Sequence, residues 1–137
     1  MNEFKPTSLT NLKNYIMEDK RPATIFCDID GTLVQHTSPD LVTDSSFSLE
    51  VLEGTVEKLL EWDRKGYGII LVTGRKESLR KSTEKQLEKA QIIYDKLIMG
   101  IGGGKRYLIN DMKENKTEKY AIAFNPERNS GIRNIEI

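Results

Sequence analysis

A single cysteine, Cys27, excludes an internal disulfide framework. No apolar run approaches the roughly 18–20 residues that a bilayer-spanning helix needs. The opening Met1-Asn2-Glu3-Phe4-Lys5-Pro6 lacks the basic-then-apolar order of a signal peptide, so the expected location is the cytoplasm, without a membrane partner. Excess charge of either sign is absent: Lys plus Arg is 21 and Asp plus Glu is 21. That balance disfavours binding to nucleic acid by bulk phosphate neutralisation, although it does not exclude a local basic patch. The only histidine, His36, stands in a polar loop without metal-ligand spacing and reads as a surface residue. No internal repeat or low-complexity segment occurs.

What is present is a chain of 137 residues, 37% hydrophobic and 31% charged, enough for one domain with a real core. Ser8 is a candidate cap for a helix to about residue 19, with Leu9, Leu12 and Ile16 on one face; Pro22 follows its end. Residues 23–29 are rich in β-branched and aromatic side chains and read as a central strand. The polar stretch 31–48 reads as a flap, with Leu33-Val34 and Leu41-Val42 pairing as a small hairpin. Ser48 is the expected cap of a helix carrying Leu49, Leu52, Val56, Leu59 and Leu60, stopped at Gly66. Residues 67–72 form a second strand, 76–91 a charged helix, and 96–99 a third strand. Residues 106–109 and the edge-like 120–124 complete about five strands. The spacing of strand and helix predicts an α/β fold with a parallel, Rossmann-like sheet and helices on both faces, in three layers.

In such sheets ligands bind beyond the carboxyl ends of the strands. Asp28 and Asp30, Thr73, and Asp111 each fall at such an end. Carboxylates at i and i+2 of an extended chain point the same way and repel, and a divalent cation relieves that repulsion. Oxygen-only donors suit Mg²⁺. A carboxylate also serves as a nucleophile, and its neighbour as the proton donor and acceptor. Thr73 offers a hydroxyl to a phosphoryl group. Cys27, on the opposite face of the strand from Asp28, reads as a core residue rather than a nucleophile. The run Gly102-Gly103-Gly104-Lys105 fails the phosphate-loop pattern, because Met99 and Arg106 stand where glycine and Ser or Thr are required.

Asp28-Ile29-Asp30-Gly31-Thr32-Leu33 resembles the first motif of the haloacid dehalogenase (HAD) superfamily phosphatases. Leu71-Val72-Thr73-Gly74-Arg75 resembles the second, and Leu108-Ile109-Asn110-Asp111 the fourth, with Asn110 where an acidic residue often stands. The resemblance covers about residues 23–125. It implies a single HAD-like hydrolase domain over 1–137 and Mg²⁺-dependent hydrolysis of a phosphate monoester through an aspartyl-phosphate. Asp28 is then the nucleophile, and Asp30 the general acid/base that gives its backbone carbonyl to the metal. Asp111 is the third metal ligand and Thr73 the phosphoryl contact. Lys105 is the expected third-motif cation, with Arg106 as its alternative. Gly74, Arg75, Arg106 and Arg128 are expected to meet substrate, Arg128 from the tail 125–137.

Neither the flap nor 76–95 has room for a cap domain, so the resemblance is to a small capless phosphatase. An open mouth suits a bulky phosphorylated substrate or closure by a second copy of the chain. Sugar phosphates of surface-polysaccharide metabolism and polynucleotide or nucleotide phosphates are the substrate classes such relatives suggest. Two other readings stand beside the enzyme. A receiver-like signalling domain would need its acidic residues adjacent rather than flanking Ile29. A catalytically degenerate HAD-fold binding module would fit the single Asp111.

Overall fold

The structure, a computed structural model, describes residues 19–44, 46–114 and 117–137; the helix expected from Ser8 falls outside them. The chain divides into two compact units, one of Pro22–Gly104 with Phe124–Ile137 and the other containing Lys105–Ala123 and residues 19–21.

In the larger unit three strands form one parallel sheet in the order β1 (Thr24–Asp28), β2 (Gly68–Val72), β3 (Lys96–Ile98). Side chains alternate along β1 and β2, so Ile25, Cys27, Ile69 and Leu71 enter the core. The register sets Asp28 opposite Val72 and Val72 opposite Ile98. All three strands therefore end at one level, and the residues that follow them share one rim. Helix α1 (Pro39–Val42) is a single turn, α2 (Thr55–Arg64) follows it, and α3 (Arg80–Lys89) continues a 3-10 turn at Glu77–Leu79. Leu59, Trp62 and Leu87 carry the helices onto the sheet, while Ile132 of the tail is 1% exposed in the same core. The result is a parallel sheet with helices and no cap among the described residues, a Rossmann-like α/β fold as expected.

The expected cap at Ser48 is not the start of a helix; α2 begins at Thr55. Long-range pairing takes residues 49–52 instead. Val51 makes an antiparallel bridge with Val34, the Gln35 N–H donates to Glu50, and the Leu52 N–H donates to Leu33. Gly54 then turns the chain at φ +85°, and the Thr55 hydroxyl donates to the Leu33 carbonyl at 2.8 Å. A β-carbon on Gly54 would lie 2.4 Å from Cβ of Arg133, so the position needs glycine for space as well as for φ. The same pairing undoes the expected flap hairpin. Val34 is engaged by Asp30 and Val51, and residues 39–42 coil into α1.

Residues 106–109 and 120–124 are not strands in this structure. Tyr107 is 82% and Ile109 93% exposed on one side and Leu108 54% on the other, so neither face of that segment is buried as a sheet strand requires. Within the smaller unit the Tyr120 hydroxyl donates to Asp19, and Lys113 lies over the Tyr120 ring. No helix among the described residues is long and apolar enough to cross a membrane.

Candidate active site

The rim of the larger unit is built by the turn that ends β1. After Asp28 the chain folds back on itself: the Leu33 N–H donates to Ile29, and the Gly31 N–H donates to Val34. Gly31 at φ +87° permits the reversal. Ile29 is fully buried between the two carboxylates and anchors the turn, which leaves Asp28 and Asp30 partly exposed on either side of it.

Each carboxylate has a partner that sets its direction. The Thr32 hydroxyl donates to Oδ2 of Asp28 at 3.2 Å. Asp30 is gripped by Arg75, whose Nε donates to Oδ2 at 2.9 Å and whose Nη2 donates to Oδ1 at 2.8 Å. This is the bidentate fork that favours arginine over lysine. The Arg75 side chain is 4% exposed and that of Asp30 21%. Its remaining Nη1 donates to Oε1 of Gln86 at 2.7 Å and to the Thr83 hydroxyl at 3.2 Å. Gln86 is itself fully buried and donates from Nε2 to the carbonyls of Val42 and Asp44. One chain of hydrogen bonds thus runs from Asp30 through Arg75 and Gln86 to the backbone just past α1.

Thr73 follows Val72 at the end of β2 and is 1% exposed; its hydroxyl accepts the Arg75 N–H at 3.1 Å and keeps its own proton to donate. Gly74 is exposed at the rim, where a β-carbon would meet the Ile101 carbonyl at 3.0 Å. Asp28, Asp30, Thr73 and Gly74 therefore lie along one rim, whereas Asp111, expected at a further strand end, follows no strand. Arg75 comes with them, but its guanidinium is turned inward onto protein groups rather than outward.

Cys27 is a buried thiol whose S–H donates to the Asp28 carbonyl. Burial, and secondarily the Asp28 charge, push it up to about 12. The reactive thiolate is therefore absent until the pH approaches that value. Iodoacetamide at pH 8 is expected to leave the native protein unlabelled and to label it once in denaturant, as mass spectrometry would read.

In the smaller unit Lys105 and Arg106 are exposed. Asp111 is exposed and accepts from Nζ of Lys113 at 2.8 Å, which holds its carboxyl below the usual range. Asn110 turns its amide onto the Asp111 carbonyl at 3.2 Å. Among the described residues no group of three or more His, Cys, Asp and Glu side chains that could hold a metal ion is assembled. The donors at the β1 end are oxygens alone, which is the set that Mg²⁺ takes with retained water.

Sequence reasoning missed Thr32, Thr83 and Gln86. Thr32 lies inside the first motif and is a hydroxyl four residues from Asp28, a signal that was present. Thr83 and Gln86 lie in a Lys/Glu-rich helix that reads as solvated, and only the fold shows them buried.

A parallel sheet with a carboxylate pair at the first strand end and a threonine at the second is the arrangement that the resemblance to HAD phosphatases implies. The family model described as "Polynucleotide kinase PNKP phosphatase domain" matches residues 22–125, and the chain belongs to that family. It is thereby a HAD-type phosphomonoesterase domain, a hydrolase by class. Among solved structures, the Pnkp1/Rnl/Hen1 complex contains a chain 30% identical, with a TM-score of 0.52 over 77% of this chain. The Pnkp1/Rnl/Hen1 RNA repair complex contains one 31% identical, with a TM-score of 0.50 over 74%. This chain spans 36% and 32% of the lengths of those two chains, about a third of each. A search of curated proteins found no match.

Proposed function

We propose that this chain removes a terminal phosphate monoester from a polynucleotide. The observation that carries the reading is the geometry at the end of β1: two carboxylates on either side of buried Ile29, each directed by its own partner, in a chain of this family. Membership of a polynucleotide kinase phosphatase family and likeness to a chain of an RNA repair complex favour a polynucleotide over a sugar phosphate. The absence of a cap among the described residues leaves the rim open to a long chain.

In this reading an Asp28 carboxylate oxygen attacks phosphorus. An Asp28–O–P bond forms as the ester P–O bond breaks, and Asp30 gives the leaving oxygen its proton. Water then attacks the same phosphorus, Asp30 takes the water's proton, and the Asp28–O–P bond breaks to release inorganic phosphate. Thr73 and the Gly74 backbone hold the transferred group. Arg75 keeps Asp30 in place from beneath. Mg²⁺ would be held by the Asp28 carboxylate and the Asp30 carbonyl, with Asp111 as the proposed third ligand, and it would supply positive charge for the phosphoryl oxygens. Lys105 or Arg106 is the proposed neutralising cation between nucleophile and phosphate.

The test is a panel of 3′-phosphorylated oligonucleotides, nucleoside monophosphates, sugar phosphates and an aryl phosphate, each with Mg²⁺ and with EDTA. Phosphate release is expected only with Mg²⁺, and with the highest kcat/KM on the oligonucleotide. A preference for a sugar phosphate would overturn the substrate assignment. No turnover of any ester would leave a HAD-fold binding module.

A further inference from the structure

The tail that follows residue 125 returns to the rim and fastens onto the first-motif turn. The Asn129 N–H donates to the Gly31 carbonyl at 2.7 Å. The Asn129 side-chain oxygen accepts the His36 N–H at 2.8 Å. Asn129 adopts φ +66°, a conformation that asparagine tolerates better than most residues and that persists where surrounding contacts hold it. Beyond it Ile132 is buried, and Arg133 pairs with Glu53 at 2.6 Å while its stem covers Gly54. The segment is therefore anchored on both sides of Asn129.

Arg128 sits between those anchors. Its Cγ would touch a β-carbon on Gly31 at 3.2 Å, and its Nε would lie 3.8 Å away, so the side chain runs along the residue that follows Asp30. The two tail arginines have divided fates. Arg133 spends its charge on Glu53, whereas Arg128 is exposed and its guanidinium has no ion-pair or hydrogen-bond partner among the described residues. A cation held by its stem against Gly31 and left exposed at the rim is available to an anion.

We infer that Arg128, held by the Asn129 latch, binds the phosphodiester next to the scissile monoester and so selects polynucleotide ends over mononucleotides and sugar phosphates. The inference rests on the polynucleotide reading above and assigns its selectivity to this tail. A chain end carries a backbone phosphodiester one nucleotide from its terminal phosphate; a sugar monophosphate or a nucleoside monophosphate has none. Arginine offers such a group paired N–H donors and a charge that is never lost. Asn129 is a positioning residue, since it touches the loop and not the substrate.

The experiment compares Arg128→Gln, Arg128→Lys and Asn129→Ala with the unaltered protein on a 3′-phosphorylated oligonucleotide and on an aryl phosphate. Arg128→Gln is expected to lower kcat/KM on the oligonucleotide about tenfold more than on the aryl phosphate, through KM, as befits one charge-assisted contact. The slope of log(kcat/KM) against log salt should become shallower by about 0.7, the loss of one phosphate contact on a single strand. Arg128→Lys should recover part of the loss, and Asn129→Ala should move KM in the same direction as Arg128→Gln. Equal losses on both substrates, or an unchanged salt slope, would overturn the inference while leaving the phosphatase reading intact. Failure of the unaltered protein to act on the oligonucleotide would remove both.

Discussion

Asp28→Asn is expected to reduce phosphate-ester hydrolysis by roughly 10³-fold or more while the protein stays folded. Asparagine keeps the size of the side chain and an oxygen for the Thr32 hydroxyl to donate to, so the turn at the end of β1 loses little. What it loses is the anionic oxygen that would attack phosphorus, and an amide oxygen is a poor substitute. Steady-state kinetics on the aryl phosphate, beside a thermal melt, separates the outcomes. Activity within tenfold of the unaltered protein would remove Asp28 as nucleophile, whereas a collapsed melt would assign it a structural role instead.

The second large effect is expected at Arg75, and here stability and activity fall together. Arg75→Met fills the volume but removes a guanidinium whose side chain is 4% exposed and leaves all its partners behind. Asp30 would lose both of its charge-assisted bonds, and Oε1 of Gln86 would be stranded in the core. Breaking a buried ion pair on one side costs about 3–5 kcal/mol; the 21% exposure of Asp30 puts this case at the lower end, about 3 kcal/mol. The displaced carboxylate should cost a further 10²-fold or so in kcat, the usual size of a misplacement of about 1 Å. Arg75→Lys keeps the charge without the fork, and it should be milder in stability than in kcat. Urea titration and kcat on both variants test this. A Met variant as stable and active as the parent would show that Asp30 is directed by something other than Arg75.

The three sheet strands were legible because a short run of β-branched and aromatic residues bounded by polar ones is a local trace, even though only alternate residues along each strand are buried. The strand ends were legible for the same reason, and with them Asp28, Asp30 and Thr73. The beginning of α2 was not. Leu49 and Leu52 have helical spacing to Leu59, yet the backbone there pairs with residues 33–35, and no local pattern encodes a partner distant in the chain. Residues 106–109 show the converse: Tyr107, Leu108 and Ile109 have strand propensity, but propensity forms no strand without a neighbouring edge and a buried face. Gln86 was the least legible of all. In a helix of Arg, Lys and Glu it reads as solvent-facing, and its burial depends on the carbonyls of Val42 and Asp44 and on Arg75.

By itself the sequence determined the class of chemistry. The order Asp28-x-Asp30 and Thr73, with strand patterns before them, set the kind of fold and pointed to the residues proposed to bear the reactive oxygens, because strand periodicity and residue chemistry are local properties. Only the tertiary structure decided which way those groups face. It turned Arg75 inward to hold Asp30, placed Thr32 against Asp28, and brought Arg128 and Asn129 back to Gly31. Those are contacts between segments far apart in the chain, and they exist only where burial and hydrogen bonding outweigh the entropy of closing the loops between them.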